Sequence, residues 1–332
     1  ISSSNHRQKG DHHCHMNLLK RRKSEFPGEK DDNDWIIPPD IASTTLFSIE
    51  YAESEIHLWD ILLDMYSKLS QSQLKKLDLL ILKGIPKQHR ARAYKIFTKS
   101  ESITDPIPYD EKYTERDIQL NQNQIHNDIE RTYRMMIFMG SSHNRQRVED
   151  VLLKVVNSDS VLGYAQGMNY FGALITSILD DNDSFWTIYN LFHDKLHNQS
   201  FILNKSMEGL IYHVRLHRLF LHAKLPYVFR QFEKLNIDPM LYAPQWILTA
   251  GLGPVMPSTL VYLILDRYVY WGQRSTHGLL LALIKWQESV ILNAKLSKEI
   301  FESLNNIGNL FFEIDMDQFI QSWNELTIPE DD

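Results

Sequence analysis

The sequence predicts an all-α fold, and three observations carry the prediction. Apolar residues recur at helical spacing from Leu58 to Trp323, and no stretch keeps up the every-second-residue alternation of a half-buried strand. Breaks at Gly84-Ile85-Pro86, Asp105-Pro106-Ile107-Pro108 and Asn157-Ser158-Asp159-Ser160 separate the stripes into helix-sized pieces. With 332 residues there is chain enough for one large or two modest domains, each with a core.

The bulk properties exclude several function classes. A net charge of -7 does not fit a nucleic-acid binder, which needs a basic face. The single cysteine, Cys14, allows no intramolecular disulfide and suits a reducing compartment. The longest apolar runs, Leu260 to Leu265 and Leu279 to Ile284, are closed by Asp266 and Lys285 and are too short to span a bilayer. No apolar run follows the N-terminus, so no secretory leader is expected, and a chain beginning at Ile1 reads as a fragment of a longer one.

Residues 1–42 are polar and are expected to be a disordered lead-in. The adjacent His12, His13, Cys14 and His15 lack the spacing that converges on one ion, and no metal site is assigned. The run Lys20 to Lys23 reads as a solvated basic stretch rather than a localisation signal or lipid contact. From about Ser43 the pattern turns helical, with Leu58, Ile61, Leu62, Met65 and Leu69 as a first stripe and a second helix from Gln73 to Leu82. Gly84-Ile85-Pro86 closes that helix and opens the next, in which Arg90 is expected to brace nearby carbonyls.

Ile125, Ile129, Thr132, Met136 and Met139 follow at spacings of four, three, four and three, which predicts one helix with one buried face. Asp128 and Arg131 are then i,i+3 neighbours, so the carboxylate steadies a guanidinium pointed away from the core. Val148, Val151, Leu152 and Val155 make an amphipathic helix expected to pack beneath. Gly163 and Gly167 bracket Tyr164 and Gln166 where the chain turns sharply, and Met168, Phe171, Ile175 and Ile178 resume helical spacing. An amide held this way can donate to and accept from a water molecule.

Asp180-Asp181-Asn182-Asp183 reads as a helix N-cap rather than a cation site. Further stripes follow over 207–222, 226–235, 244–249, 258–270, 277–286, 297–304 and 315–323. His213, His217 and His222 lack partner carboxylates or cysteines and read as core or surface residues, while Gly251-x-Gly253-Pro254 lacks the strand and spacing of a phosphate loop.

Two motifs taken together, Ile125-x-x-Asp128-x-x-Arg131-Thr132 and Gly163-Tyr164-Ala165-Gln166-Gly167-Met168-Asn169, resemble those of the TBC domain, the fold of Rab GTPase-activating proteins. Gly84-Ile85-Pro86 with Arg90 and Tyr94-Lys95 is similar to the family's opening signature, with Tyr94 where a tryptophan is usual. Trp246-Ile247-Leu248-Thr249 and Leu265-Asp266-Arg267 with Trp271-Gly272 resemble its later blocks, with Ala250 where an aromatic is common. The likeness runs from about residue 75 to 290.

The resemblance implies a TBC domain over 43–325, with an N-terminal lobe over 43–222, a C-terminal lobe over 223–325 and a tail at 326–332. It further implies acceleration of GTP hydrolysis on a GTP-bound Rab-type GTPase, with Arg131 as arginine finger and Gln166 as the water-positioning glutamine finger. Asp128, Tyr164 and Gly167 would support the two fingers, and Arg90, Ile125, Thr132, Gly163, Asn169 and Trp246 would form the framework. No cofactor of the chain's own is expected, since GTP and Mg²⁺ come with the partner. The expected place is the cytoplasm, at endomembranes through the lipidated GTPase, in vesicle trafficking. The rival readings are a TBC-like module that binds GTP-loaded GTPases or adaptors without turnover, and a helical scaffold indifferent to nucleotide.

Overall fold

The computed structural model describes residues 29–30, 33–37, 49–101, 103, 105–204, 206–253, 258–305 and 315–327. Helices make up most of it. In chain order they are α1 (Glu53–Asp64), α2 (Gln71–Lys83), α3 (Lys87–Phe97), α4 (Glu115–Ile129), α5 (Ile137–Gly140), α6 (Ser142–Asn157), α7 (Met168–Ile178), α8 (Asp181–His193) and α9 (Gln199–Leu203). There follow α10 (Glu208–Lys224), α11 (Pro226–Lys234), α12 (Pro244–Leu248), α13 (Ser258–Trp271), α14 (Gln273–Trp286), α15 (Glu288–Asn293), α16 (Ser297–Asn305) and α17 (Met316–Leu326). The helices expected beyond residue 200 are present within a few residues of their predicted bounds; the short α9 and α15 are additional, too brief to leave a periodic stripe.

Local chemistry sets many of the ends. Ser70 and Gln73 form a capping box at the start of α2, as Thr114 and Asp117 do for α4. Asp180 accepts the Asp183 amide at 2.8 Å, so the acidic run caps α8 as its position predicts. In α1 the buried face is Trp59, Leu62 and Leu63, while Ile61 and Met65 of the predicted stripe are exposed. The helix ends at Asp64 and a 3₁₀ turn follows over Tyr66–Lys68, so Met65 and Leu69 fall out of its phase and bulky Trp59 decides which side faces the core.

The core has two centres. Around α6, whose Val148, Val151, Leu152, Val155 and Val156 are all buried, pack α4, α7 and α8. Gly172 admits the close approach of α7, since a methyl group there would lie 2.8 Å from a Leu152 carbon. In the second centre α13 and α14 are buried on nearly every side, and α17 lies along α14. Helix α13, from the segment assigned to the C-terminal lobe, also packs on α2 and α3.

An ion pair marks that junction. The fully buried Asp266 of α13 accepts Arg90 Nε at 3.1 Å, the Tyr94 hydroxyl at 2.6 Å and the Ile85 amide at 2.8 Å. Burial raises the Asp266 pKa, and the Arg90 charge with the Tyr94 and Ile85 hydrogen bonds restrains the rise. Arg90 is therefore a brace, but its acceptor is a carboxylate rather than carbonyls. Tyr94 replaces an indole with a phenol that binds the same carboxylate.

Within residues 1–42, the described residues 29–30 and 33–37 carry structure where a disordered lead-in was expected. Strands β1 (Glu29–Lys30) and β2 (Ile36–Ile37) form an antiparallel ladder, and Trp35 is buried against the helical body. A polar average over 1–42 hides the apolar island Trp35-Ile36-Ile37, whose tryptophan finds a tertiary site. His12 to His15, Lys20 to Lys23 and most of the 326–332 tail lie outside the described residues.

Candidate functional site

The helix predicted to run from Ile125 to Met139 stops at Ile129. Thr132 Oγ1 donates back to the Asp128 carbonyl at 2.6 Å, Tyr133 takes φ +38°, and the chain turns through 130–136 before α5 begins. Ile125, Ile129, Thr132, Met136 and Met139 are nonetheless all buried. Their spacing survives because the turn folds back onto the same core, and periodicity cannot tell that from a continuous helix.

Arg131 therefore stands on a turn two residues beyond the end of α4. Its Nη2 donates to Asp128 Oδ1 at 2.5 Å, and the guanidinium side chain stays 58% exposed while that of Asp128 is only 10% exposed. The other carboxylate oxygen, Oδ2, accepts the Tyr164 hydroxyl at 2.8 Å. One buried carboxylate thus holds a residue from each motif. Burial raises the Tyr164 pKa, its hydrogen bond to Asp128 adds to the rise, and the phenol remains a donor.

A second line of bonds joins the motifs from below. Asn169 Nδ2 donates to Thr132 Oγ1 at 2.8 Å, and Asn169 Oδ1 accepts the Gly167 amide at 3.0 Å. Gln166 precedes Gly167 on the turn that opens α7, and it is exposed. Gly163 and Gly167 have φ of +61° and +116°, so both turns around Tyr164 and Gln166 use backbone that disfavours a side chain. A methyl group on Gly167 would lie 3.2 Å from the Leu248 carbonyl oxygen, which places the Gln166 turn directly on the Trp246 to Thr249 block. Trp246 itself is buried beneath, and Gln199 Nε2 binds the Leu248 carbonyl at 2.9 Å.

Of the residues singled out from sequence, Arg131, Thr132, Tyr164, Gln166 and Gly167 lie on the two linked turns, while Ile125 and Asp128 lie at the end of α4 and Asn169 at the start of α7. Gly163 shapes the second turn, Trp246 supports it, and Arg90 lies apart with Asp266. Sequence reasoning missed Tyr133, whose hydroxyl donates to the Leu252 carbonyl at 2.7 Å and whose ring meets Trp35 at 5.1 Å and Tyr170 at 5.3 Å. The signal was present: Tyr133 and Tyr170 each directly follow a motif residue.

Among the described residues no group of three or more His, Cys, Asp or Glu is arranged to hold a metal ion. His213 and His217 are buried with His277, which no motif pointed to, whereas His222 is exposed. His213 Nδ1 lies 3.1 Å from His277 Nε2 and His217 Nε2 lies 3.2 Å from the Tyr242 hydroxyl, so these ring nitrogens face one another or a phenol. Gly251, with φ +83°, makes a tight turn after α12. No helix among the described residues is long and apolar enough to cross a membrane.

A Rab-GTPase-TBC domain family model matches residues 55–292. The chain belongs to that family. It is 27% identical over 239 residues to TBC1 domain family member 2B of Xenopus tropicalis, covering 69% of this chain and 25% of that one. It is 25% identical over 248 residues to human growth hormone-regulated TBC protein 1, covering 73% and 72% of the two chains. With Rab GTPase-activating protein tbc-11 of Caenorhabditis elegans the identity is 25% over 264 residues, covering 76% of this chain and 27% of that protein. The chain thus spans about a quarter of the length of member 2B and tbc-11. Two solved structures share the fold. The Chlamydomonas flagellar RabGAP TBC domain superposes with a TM-score of 0.61 at 19% identity, over 82% of this chain and 91% of that one. The Ypt/Rab-GAP domain of Gyp1p gives a TM-score of 0.60 at 12% identity, over 82% and 97%. The TBC match begins within α1 and ends within α15, and so contains both linked turns but not residues 33–37.

Proposed function

We propose that this TBC domain accelerates GTP hydrolysis by a GTP-loaded Rab-type small GTPase, with Arg131 as arginine finger and Gln166 as glutamine finger. The observation that carries the reading is that an exposed guanidinium and an exposed carboxamide sit on two turns tied together through Asp128–Tyr164 and Thr132–Asn169–Gly167. Such a partner brings GTP and Mg²⁺ and lacks enough positive charge on the phosphoryl oxygens and a fixed attacking water. Arg131, held from behind by Asp128, presents forked donors to the developing charge. Gln166 has both an acceptor and a donor for the water. Because the groups arrive on turns already bonded to one another, little ordering remains to be done when the partner docks.

The chain would act in the cytoplasm at endomembranes, reached through the lipid of its partner, in vesicle trafficking. The test is single-turnover phosphate release from a panel of GTP-loaded Rab-type GTPases with the purified chain. Acceleration of at least one partner is expected, and Gln166→Ala should lower the rate while leaving partner affinity within a few-fold. A GDP-loaded partner carrying a planar fluoride mimic of the γ-phosphoryl group should bind more tightly than the GTP form. Binding to GTP-loaded partners with neither acceleration nor that tightening would make the domain a non-catalytic module.

A further inference from the structure

The Arg131 turn is fastened at its start by Asp128 and Asn169, and the arm at residues 33–37 fastens its end. The Ile137 amide donates to the Asp34 carbonyl at 2.9 Å, and Trp35 pairs with Met136 in an antiparallel bridge. The Trp35 ring, 8% exposed, lies on Tyr133 at 5.1 Å and 56°. Tyr133 is the residue at which the turn takes its left-handed step, two positions from Arg131. Tyr170 also meets its ring, at 5.3 Å, and the Leu252 carbonyl accepts from its hydroxyl, so Trp35 is one of two aromatic rings in tilted contact with it.

The arm is itself anchored elsewhere. Asn33 Nδ2 donates to Ser258 Oγ at 3.1 Å and to Thr259 Oγ1 at 3.3 Å at the start of α13, and Asp34 pairs with Lys87 of α3 at 3.2 Å. It therefore bridges the body of the domain and the turn, from sequence that precedes the family match.

We propose that Trp35 is a positioning residue for Arg131: the arm locks Tyr133 and the 130–136 turn so that the guanidinium is already placed when a partner arrives. This rests on the reading of Arg131 as a finger. A finger acts in the transition state, so a loosened turn lowers kcat and leaves KM nearly unchanged. Trp35 is buried and pairs with Met136 on the backbone that follows Arg131.

The experiment compares wild type, Trp35→Ala and Trp35→Phe in the full chain, against whichever GTPase the wild type stimulates. Trp35→Ala should reduce kcat about tenfold or more with KM within about twofold, and Trp35→Phe, which keeps a ring on Tyr133, should recover most of the loss. Hydrogen exchange in the free chain gives a second readout that needs no partner. Amides of 131–137 should exchange faster in Trp35→Ala, with α6 protection unchanged. Wild-type kcat in Trp35→Ala, or unchanged exchange at 131–137, overturns the positioning role while leaving the proposed function standing. A loss in Trp35→Ala that Trp35→Phe does not relieve, or that spreads to α6 exchange, also overturns it. A wild type that stimulates no partner overturns the proposed function, and the role of the arm falls with it.

Discussion

Replacing Arg131 by alanine separates the proposed catalytic role from a structural one, because the two carry very different magnitudes. Its side chain is 58% exposed and, among the described residues, its ion pair is with Asp128, so solvent screening limits the pair to about 0.5 kcal/mol of stability. Asp128 keeps the Tyr164 hydroxyl after the substitution and is not left without a donor. For a domain of this size ~0.5 kcal/mol corresponds to a fall in Tm of roughly 1–2 °C. An arginine finger in activators of small GTPases contributes on the order of 10³ to 10⁵ in rate, roughly 4 to 7 kcal/mol of barrier. Arg131→Ala should therefore melt almost as wild type while losing at least about a thousandfold in stimulated phosphate release under single turnover. Arg131→Lys should fare little better, since one ammonium cannot reproduce the planar fork. A variant that melts several degrees lower with hydrolysis unchanged would refute the assignment and return Asp128–Arg131 to the status of a local brace.

Arg90 should behave in the opposite way: Arg90→Met strands the fully buried Asp266 and should cost about 3–5 kcal/mol by urea titration, and a loss under ~1 kcal/mol would show that the pair does not hold α3 to α13. Gly167→Ala forces a side chain into φ +116° within 3.2 Å of the Leu248 oxygen and should cost roughly 1–3 kcal/mol together with most of the stimulated rate; a full-strength variant would mean that the Gln166 turn is not set by that backbone. Burial holds His213 down to about 4 and His217 to about 3, below the ordinary 6.5, so the folded chain binds fewer protons than the unfolded one in that window. Stability is whole above pH 6.5 and should fall below it by up to about 1.4 kcal/mol per pH unit for each imidazole. Urea titrations between pH 7.5 and 5 check this, and His217→Phe should remove one such slope; an unchanged slope would mean that His217 does not titrate as described.

Much of the helical plan is legible in the chain. Binary periodicity marks α6, α7 and the run of helices after residue 200, and local caps such as Asp180 need only neighbours in sequence. The two motifs are readable for the same reason, since Asp128 and Arg131 are three residues apart. Where periodicity misled, as at α1 and at the end of α4, the deciding forces were not local. Trp59 turned α1 toward the core, and nothing in the run from Ile129 to Met136 announces a helix end, because the turn there has no glycine or proline.

By itself, the sequence determined that the chain folds as helices, that the acidic run at Asp180 caps one of them, and which two short segments carry the cation and the amide. Only the tertiary structure decided that Asp128 serves Arg131 and Tyr164 at once, that Asn169 ties Thr132 to Gly167, that Asp266 is the partner of Arg90, and that Trp35 reaches the turn that carries Arg131. Helix periodicity and capping are settled by side chains within four residues of one another. The bonds that join the two motifs, and those that hold Arg90 and the arm, link residues separated by 36 to 226 positions, and only packing of the whole core brings such groups within hydrogen-bonding distance.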